Sequence, residues 1–382
     1  MEHFTSSTSN TALLAPPEVV RAPTSRPLPV SLEDHGPATI GLPESLAKPT
    51  AAAHQHLPVL DAWRGTAVSL LMLGHFVPFY RLDCGALGVE FFFVLSGFLM
   101  GKILFVKQTP IGLFYQRRIS RIFPAAYFYL FAILGYIWFA TSGSEPSLSA
   151  AASCLFFYMN YLVELQPTEH LARYAGHFWS LCVEEHTYIL LSGLALIHRK
   201  KAVSPLLLIG LAILACFAMS IVMGIQFDWN LYQVYWRSDC RAASILCGAL
   251  AACLVSRGVG QERSYWRIPS IAWGVLAVIL GVGFRLAFVP EFVQHTLGTI
   301  CLATGLLLIA QHGRSTLWAF PPLVWLGTIS FSLYLWQQPF YIAARQGQMS
   351  TGTAIVAALT CGVLSYFLIE RPARAWINKR WA

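Results

Sequence analysis

Arg64 and His75 stand eleven positions apart in an otherwise apolar stretch, RGTAVSLLMLGHF. On a helix, eleven positions return to within about 20° of the same face and rise about 16 Å. A guanidinium is a permanent anion binder, and an imidazole exchanges its proton near neutral pH. One helix face therefore carries a fixed cation at one end and a titratable ring at the other. The plainer reading is an interfacial arginine that snorkels and a histidine bonded within a helix bundle.

Three more stretches carry chemistry. FYQRRISRIFP (114–124) sets Arg118 and Arg121 at i and i+3, on one helix face as a phosphate clamp requires; ordinary loop charge is the alternative. HFWSLCVEEHTYILL (177–191) gathers His177, Glu184, Glu185 and His186 in one apolar run. A glutamate beside a histidine raises its basicity and fixes its tautomer, so either carboxylate is a candidate partner for a general base. YWRSDCRAASILCGALAA (235–252) places Arg237, Asp239 and Arg241 at a mouth, where they bind an acceptor or pair with each other. No serine stands in a G-x-S-x-G elbow, which argues against a hydrolase-type acyl-serine.

The elements that must position these groups are apolar. The chain is 56% hydrophobic and 12% charged, about half the charge of a soluble protein, and several runs reach the roughly 20 residues that cross a bilayer. Apolar segments lie near 58–80, 86–106, 122–141, 177–197, 204–225, 241–257, 268–289, 295–311, 319–345 and 350–370. A further one, 148–164, is short and interrupted by Tyr158, Asn160 and Tyr161. With that one excluded, the inside segments hold sixteen Lys and Arg residues and the outside segments five, as the positive-inside rule favours. The expected fold is all-α: a polytopic membrane protein of about ten transmembrane helices plus one re-entrant or interfacial segment. It is expected in the plasma (inner) membrane with both termini cytoplasmic. An ionisable group at membrane depth is costly unless it is paired or faces water, so the residues above are functional candidates.

Residues 1–55 are rich in Ser, Thr, Pro and Ala and read as a disordered tail, without the basic and apolar regions of a signal peptide. The +8 charge marks cytoplasmic loops rather than a nucleic-acid partner. The nine cysteines lie mostly singly in apolar runs, with no metal spacing, and read as small buried hydrophobes. Cys84 and Cys240 are expected in outside loops, where a bridge between them is open. Pro372, in FLIERPARAW, is expected to stop the last helix.

Taken in order, LDAWRG, LGHF, GVEFFFVLSGFL, FYQRRISRIFP, HFWSLCVEEHTY, SDCRAASILCGALAA, LGTISFSLYLW and IERP resemble the acyltransferase-3 family of integral membrane O-acyltransferases, from Leu60 to Trp376. The resemblance implies ten or so helices and transfer of an acyl group, commonly acetyl. The implied donor is cytoplasmic acyl-CoA, and the implied acceptor is a hydroxyl of a surface glycan, a lipid-linked sugar or a small natural product. The family's Arg-x10-His pair falls on Arg64 and His75, its Arg-x-x-Arg pair on Arg118 and Arg121, and its WSL-x-VEE glutamate on Glu184. His75 and Glu184 are then the catalytic candidates, and Arg64, Arg118 and Arg121 the acyl-CoA-binding ones. Glu90, Asp239, Arg241 and Gln337 are the acceptor-binding candidates. His75 either deprotonates the acceptor or carries the acyl group.

Two positions depart from the pattern: Gln337 stands where a histidine is common, and Ala243 where a subgroup has a second acid. No SGNH-type hydrolase segment follows IERP, so acceptor chemistry is expected within the membrane domain or on a separate protein. Membrane lipid, acyl-CoA and a carbohydrate or lipid-linked acceptor are the expected partners, with no bound cofactor or metal. A proton-coupled small-molecule transporter, with His75 and Glu184 as relay, is the competing reading; the paired, broken-helix halves usual in such proteins are not seen in the sequence. A purely structural membrane protein leaves the buried charges unexplained.

Overall fold

In hydrocarbon a backbone N–H or C=O has no water to bond, and a helix satisfies both within one segment. The apolar runs of this chain accordingly become helices. The structure, a computed structural model, describes residues 58–77, 81–140, 148–162, 170–226, 235–258, 267–286, 289, 293–312 and 320–381. The tail expected over 1–55 lies outside the described residues.

The first helices are α1 (Pro58–Phe76), α2 (Cys84–Gly101, prolonged by a π-helical turn, Lys102–Val106) and α3 (Ile111–Ala140). Three short helices follow: α4 (Leu148–Leu155), α5 (Met159–Leu162) and α6 (His170–Ala175). Then come α7 (Phe178–Lys201), α8 (Pro205–Gln226), α9 (Ser238–Ser256) and α10 (Arg267–Gly283). A π-helical turn (Gln294–Gly298) leads into α11 (Thr299–His312), followed by α12 (Pro321–Arg345) and α13 (Thr351–Ser365). A last π-helical turn (Tyr366–Glu370) runs into α14 (Arg371–Trp381). Among the described residues the one isolated β-bridge, Leu82–Leu286, joins no strands.

Among the described residues, six helical stretches are long and apolar enough to cross a membrane: Cys84–Val106, Ile111–Ala140, Phe178–Lys201, Pro205–Gln226, Ser238–Ser256 and Thr351–Trp381. The architecture is thus an all-α multi-pass membrane protein. The count of ten read from the sequence is not reached by these criteria. Helices α1 and α12 carry too many polar side chains, and α10 and α11 supply only shorter apolar stretches. Residues 148–162 break at Phe157 (φ 55°) into two short helices, neither of them long enough to cross. Pro372 does not stop the last helix. It sits at the second position of α14, a first-turn site where its missing N–H leaves no hydrogen bond unmade.

Helices α2 and α9 lie at the centre, apolar on all sides and largely buried, whereas α8 turns Leu207, Leu211, Leu214, Val222 and Ile225 outward. Lipid tails are as apolar as leucine, so helices in a membrane associate through close packing at small residues. The α2–α9 and α1–α12 crossings show it. A Cβ added at Gly97 of α2 would fall 1.7 Å from the Ile245 carbonyl oxygen of α9, and one at Gly248 of α9 would fall 2.0 Å from that of Val94. Likewise a Cβ at Gly65 of α1 would lie 1.9 Å from the Leu323 oxygen of α12, and one at Gly327 would lie 1.9 Å from that of Asp61. None of the nine cysteines is in a disulfide, so Cys84 and Cys240 do not form the bridge the sequence left open.

Overpacking a close crossing costs about 1–3 kcal/mol, sometimes more. Gly97→Val in detergent is therefore expected to melt well below the wild type. Gly112→Ala, whose added Cβ would meet nothing within 4 Å, is expected to melt with it. Intrinsic tryptophan fluorescence during a thermal ramp reads both.

Candidate active site

Helix α1 carries Asp61, Arg64 and His75 and packs between α2 and α12. Two cavities open along it. The first, about 80 Å³, is lined by Arg64, Arg118, Arg121, Ser180, Glu184 and Tyr334 among others. The second, about 590 Å³, is lined by His75, Asp83, Arg173, His177, Tyr235 and Tyr341 among others. Val89 and Tyr334 line both, and so mark where the two meet. The single face of α1 inferred from the Arg64–His75 spacing thus runs from one cavity to the other.

In the arginine cavity most of the charge is already matched. Arg64 donates to Asp61 Oδ1 at 2.5 Å, an i,i+3 pair along α1. Arg118 donates to Glu184 and, at 3.1 Å, to Glu185, while its guanidinium lies 4.2 Å from the Tyr188 ring centroid. Tyr188 in turn donates to Glu184 Oε2 at 2.8 Å, and its hydroxyl also bonds Ser96. Helices α2, α3 and α7 are tied through this one network. The two arginines expected to act as a clamp therefore divide their work. Arg118 is committed to two carboxylates, whereas Arg121 makes no hydrogen bond or ion pair among the described residues. Arg121 is the cation open to an incoming anion.

In the histidine cavity, His75 Nδ1 lies 2.7 Å from Gln337 Oε1 on α12, and its ring stacks on Tyr341 with centroids 4.6 Å apart and planes at 21°. An amide oxygen accepts, so Nδ1 carries the proton and Nε2 keeps its lone pair. Gln337 Nε2 donates to Gln338 Oε1 at 3.3 Å, in keeping with that orientation of the amide. A Cβ at Gly85 would lie 3.7 Å from His75 Nε2, so the glycine leaves room beside the free nitrogen.

The structure brings Arg64, Arg118, Arg121 and Glu184 to one cavity and His75, with Gln337 behind it, to the other. It does not bring Glu184 to His75. Glu90 and Arg241 line neither cavity. Glu90, wholly buried on α2, accepts from Arg241 (2.5 Å), Arg285 (2.6 Å) and Thr299 (2.5 Å). Arg241 also bonds His295 Nδ1 at 2.6 Å. This cluster joins α2 and α9 to Arg285, just past α10, and to the start of α11. Asp239 pairs with Arg237 through two bonds, of 3.0 and 2.7 Å, and lines a separate cavity with His186 and Ser238.

Several members escape sequence reasoning. Asp61 is signalled by its i,i+3 spacing to Arg64. Tyr188 and Ser96, ninety-two positions apart, give no local signal. Nor do Arg285 and Thr299, whose partner Glu90 lies far away along the chain, or Tyr341, which supports His75 by stacking.

A family model described as an acyltransferase domain (acyltransferase 3) matches residues 57–369. The chain is similar to peptidoglycan O-acetyltransferase OatA of Listeria monocytogenes, 27% identical over 86% of this chain and 57% of that protein. It is also similar to putative peptidoglycan O-acetyltransferase YrhL of Bacillus subtilis, 26% identical over 84% and 55%. O-acetyltransferase OatA of Staphylococcus aureus is 27% identical over 84% and 57%. The chain thus spans a little over half the length of these curated relatives. No solved structure matches it.

Removing one member of a buried ion pair strands the other and costs about 3–5 kcal/mol. Arg118→Ala, which leaves Glu184 and Glu185 without their cation, is expected to lose stability of that order in an SDS unfolding titration. Arg121→Ala, which strands no partner, is expected to shift the same titration by less than about 1 kcal/mol.

Proposed function

This chain belongs to the acyltransferase-3 family, and on that premise we propose that it moves an acetyl group from cytoplasmic acyl-CoA to a hydroxyl of a glycan. The observation that carries the reading is the pair of cavities meeting at Val89 and Tyr334, with guanidinium groups in one and a free imidazole nitrogen in the other. Acyl-CoA has a phosphate-bearing head and a long thin arm that ends in a thioester. The rise of about 16 Å from Arg64 to His75 is comparable to the reach of that arm. The names of the relatives support a glycan acceptor, peptidoglycan in particular.

In this mechanism Arg121, assisted by Arg64, holds the phosphates by charge-assisted hydrogen bonds. The arm passes the meeting point of the cavities and presents the thioester carbonyl beside His75. His75 Nε2 takes the proton of the acceptor hydroxyl, whose oxygen bonds to the carbonyl carbon. The C–S bond breaks, and the thiolate leaves with the proton returned by His75, as free CoA. Gln337 holds the tautomer that keeps Nε2 basic. Glu184 acts by fixing Arg118 and Tyr188 rather than by moving a proton. Helices α1, α10, α11 and α12 join the six long apolar stretches as spans. That makes ten spans in the plasma (inner) membrane with both termini cytoplasmic, and it places the arginine cavity on the cytoplasmic side. The relay that a proton-coupled transporter would draw between His75 and Glu184 has no support in their placement in separate cavities.

Membranes holding the full chain, given radiolabelled acetyl-CoA and a glycan acceptor, are expected to transfer label. His75→Ala should lower the rate by about 10²–10⁴, the range typical of general base catalysis, in a protein that still melts cooperatively, though at a somewhat lower temperature because Gln337 Oε1 loses its partner. A folded His75→Ala protein with wild-type rate would overturn the assignment. Arg121→Ala should raise KM for acetyl-CoA about tenfold, equivalent to ~1.4 kcal/mol of lost binding, with kcat near wild type.

A further inference from the structure

His177 is the second imidazole of the histidine cavity, and neither of its ring nitrogens has a hydrogen-bond partner among the described residues. The residue is only 6% exposed. A buried polar atom left unsatisfied costs about 1–3 kcal/mol, and this side chain holds two. A phenylalanine would fill the same space without that cost.

The ring is held instead by aromatic neighbours. Tyr129, Phe178 and Tyr334 pack against it with centroids 5.2, 5.3 and 5.2 Å away, at steep angles of 81°, 80° and 67°. Packing of this kind fixes the plane of the imidazole and consumes none of its hydrogen-bonding capacity. The contrast with His75 is chemical. There, Gln337 occupies Nδ1 and commits the ring to one tautomer; in His177 either nitrogen is free to carry the N–H.

Its position is equally specific. His177 immediately precedes α7, and the Tyr334 hydroxyl donates to its backbone oxygen while bonding Ser180 Oγ at 2.7 Å. Tyr334 lines both cavities, Ser180 only the arginine cavity, and His177 only the histidine cavity. His177 therefore stands on the histidine-cavity side of the wall that Tyr334 and Val89 form between the two cavities, where a thioester reaching past that wall from the arginine side would arrive.

We propose that His177 is a catalytic residue that donates an imidazole N–H to the carbonyl oxygen of the acyl group during transfer. The proposal rests on the acyltransferase reading above. When the acceptor oxygen bonds to the thioester carbon, its proton passes to His75 Nε2 and the carbonyl π pair moves onto oxygen. The His177 N–H stabilises that oxyanion in a site shielded from bulk water. The pair then returns, C=O re-forms, C–S breaks, and the thiolate takes the proton from His75. His177 ends the cycle with the proton it began with. The two imidazoles thus have separate work, one moving a proton and the other bearing developing charge.

The test compares three proteins in the acetyl-CoA transfer assay, each checked by thermal melting. In His177→Phe, which keeps the ring's shape without a donor, kcat is expected to fall about 10²–10³-fold, as when one oxyanion donor is removed, with KM for acetyl-CoA little changed. In His177→Gln, which keeps an N–H, kcat is expected to stay within about tenfold of wild type. Full activity in folded His177→Phe would overturn the proposal, and so would equal losses in both variants. If His177→Phe fails to fold, His177→Leu takes its place. Failure of all three variants to fold would mark the ring as a packing element and overturn the proposal as well. An inactive wild-type protein would remove the acyltransferase reading itself, an outcome visible in the same assay before any variant is compared.

Discussion

The rest of the structure depends on how charge is carried inside an apolar bundle. Arg118 lies between Glu184 and Glu185, Glu90 lies between Arg241 and Arg285, and Arg64 leans on Asp61. Each group would be prohibitively costly alone at such depth, and each is affordable only because a partner on the same or a neighbouring helix meets it. These pairings fix how the helices face one another. The Arg118 network sets α3 against α7, and the Glu90 cluster sets α2 against α9 and α11. The close glycine crossings then bring the backbones near enough for the pairs to form.

Against that background, the groups that are not paired stand out. Arg121 has no counter-charge bound to it, His75 has one nitrogen free, and His177 has two. They lie in the two cavities that meet at Tyr334 and Val89. Other buried polar atoms lack hydrogen-bond partners among the described residues too, among them the Tyr235 hydroxyl in the histidine cavity and that of Ser192 elsewhere, but Arg121, His75 and His177 are three ionisable groups left open toward the two cavities that adjoin.

Much of this was legible in the sequence, and the reasons for the successes and failures are physical. The helices were legible because twenty apolar residues in a row have few other fates. Arg64 and His75 were placed on one face by helical periodicity alone. What spacing could not supply was partnership between helices. Arg118 and Arg121 look equivalent at i and i+3, yet only a fold shows that one is taken up by glutamates sixty-six and sixty-seven positions away. Glu90 and Arg241, expected on the acceptor side, are held in a buried cluster with Arg285 and Thr299 that spacing could not reveal. Asp239 pairs with Arg237, one of the two outcomes the sequence left open. Gln337, noticed only as a departure from a family pattern, turned out to hold the ring of His75. Pro372 misled because a proline read as a stop is equally at home in the first turn of the helix that follows.

Tyr334 has one more consequence. Two polar hollows stacked end to end through a bilayer would form a leak if they merged, since a file of water carries protons down the membrane potential. The phenol and the Val89 side chain stand where the hollows adjoin, and the phenol is moored to the backbone at His177. On the orientation proposed above, the side chain shared by both hollows also separates them, so that neither one alone opens a water-filled path across the membrane.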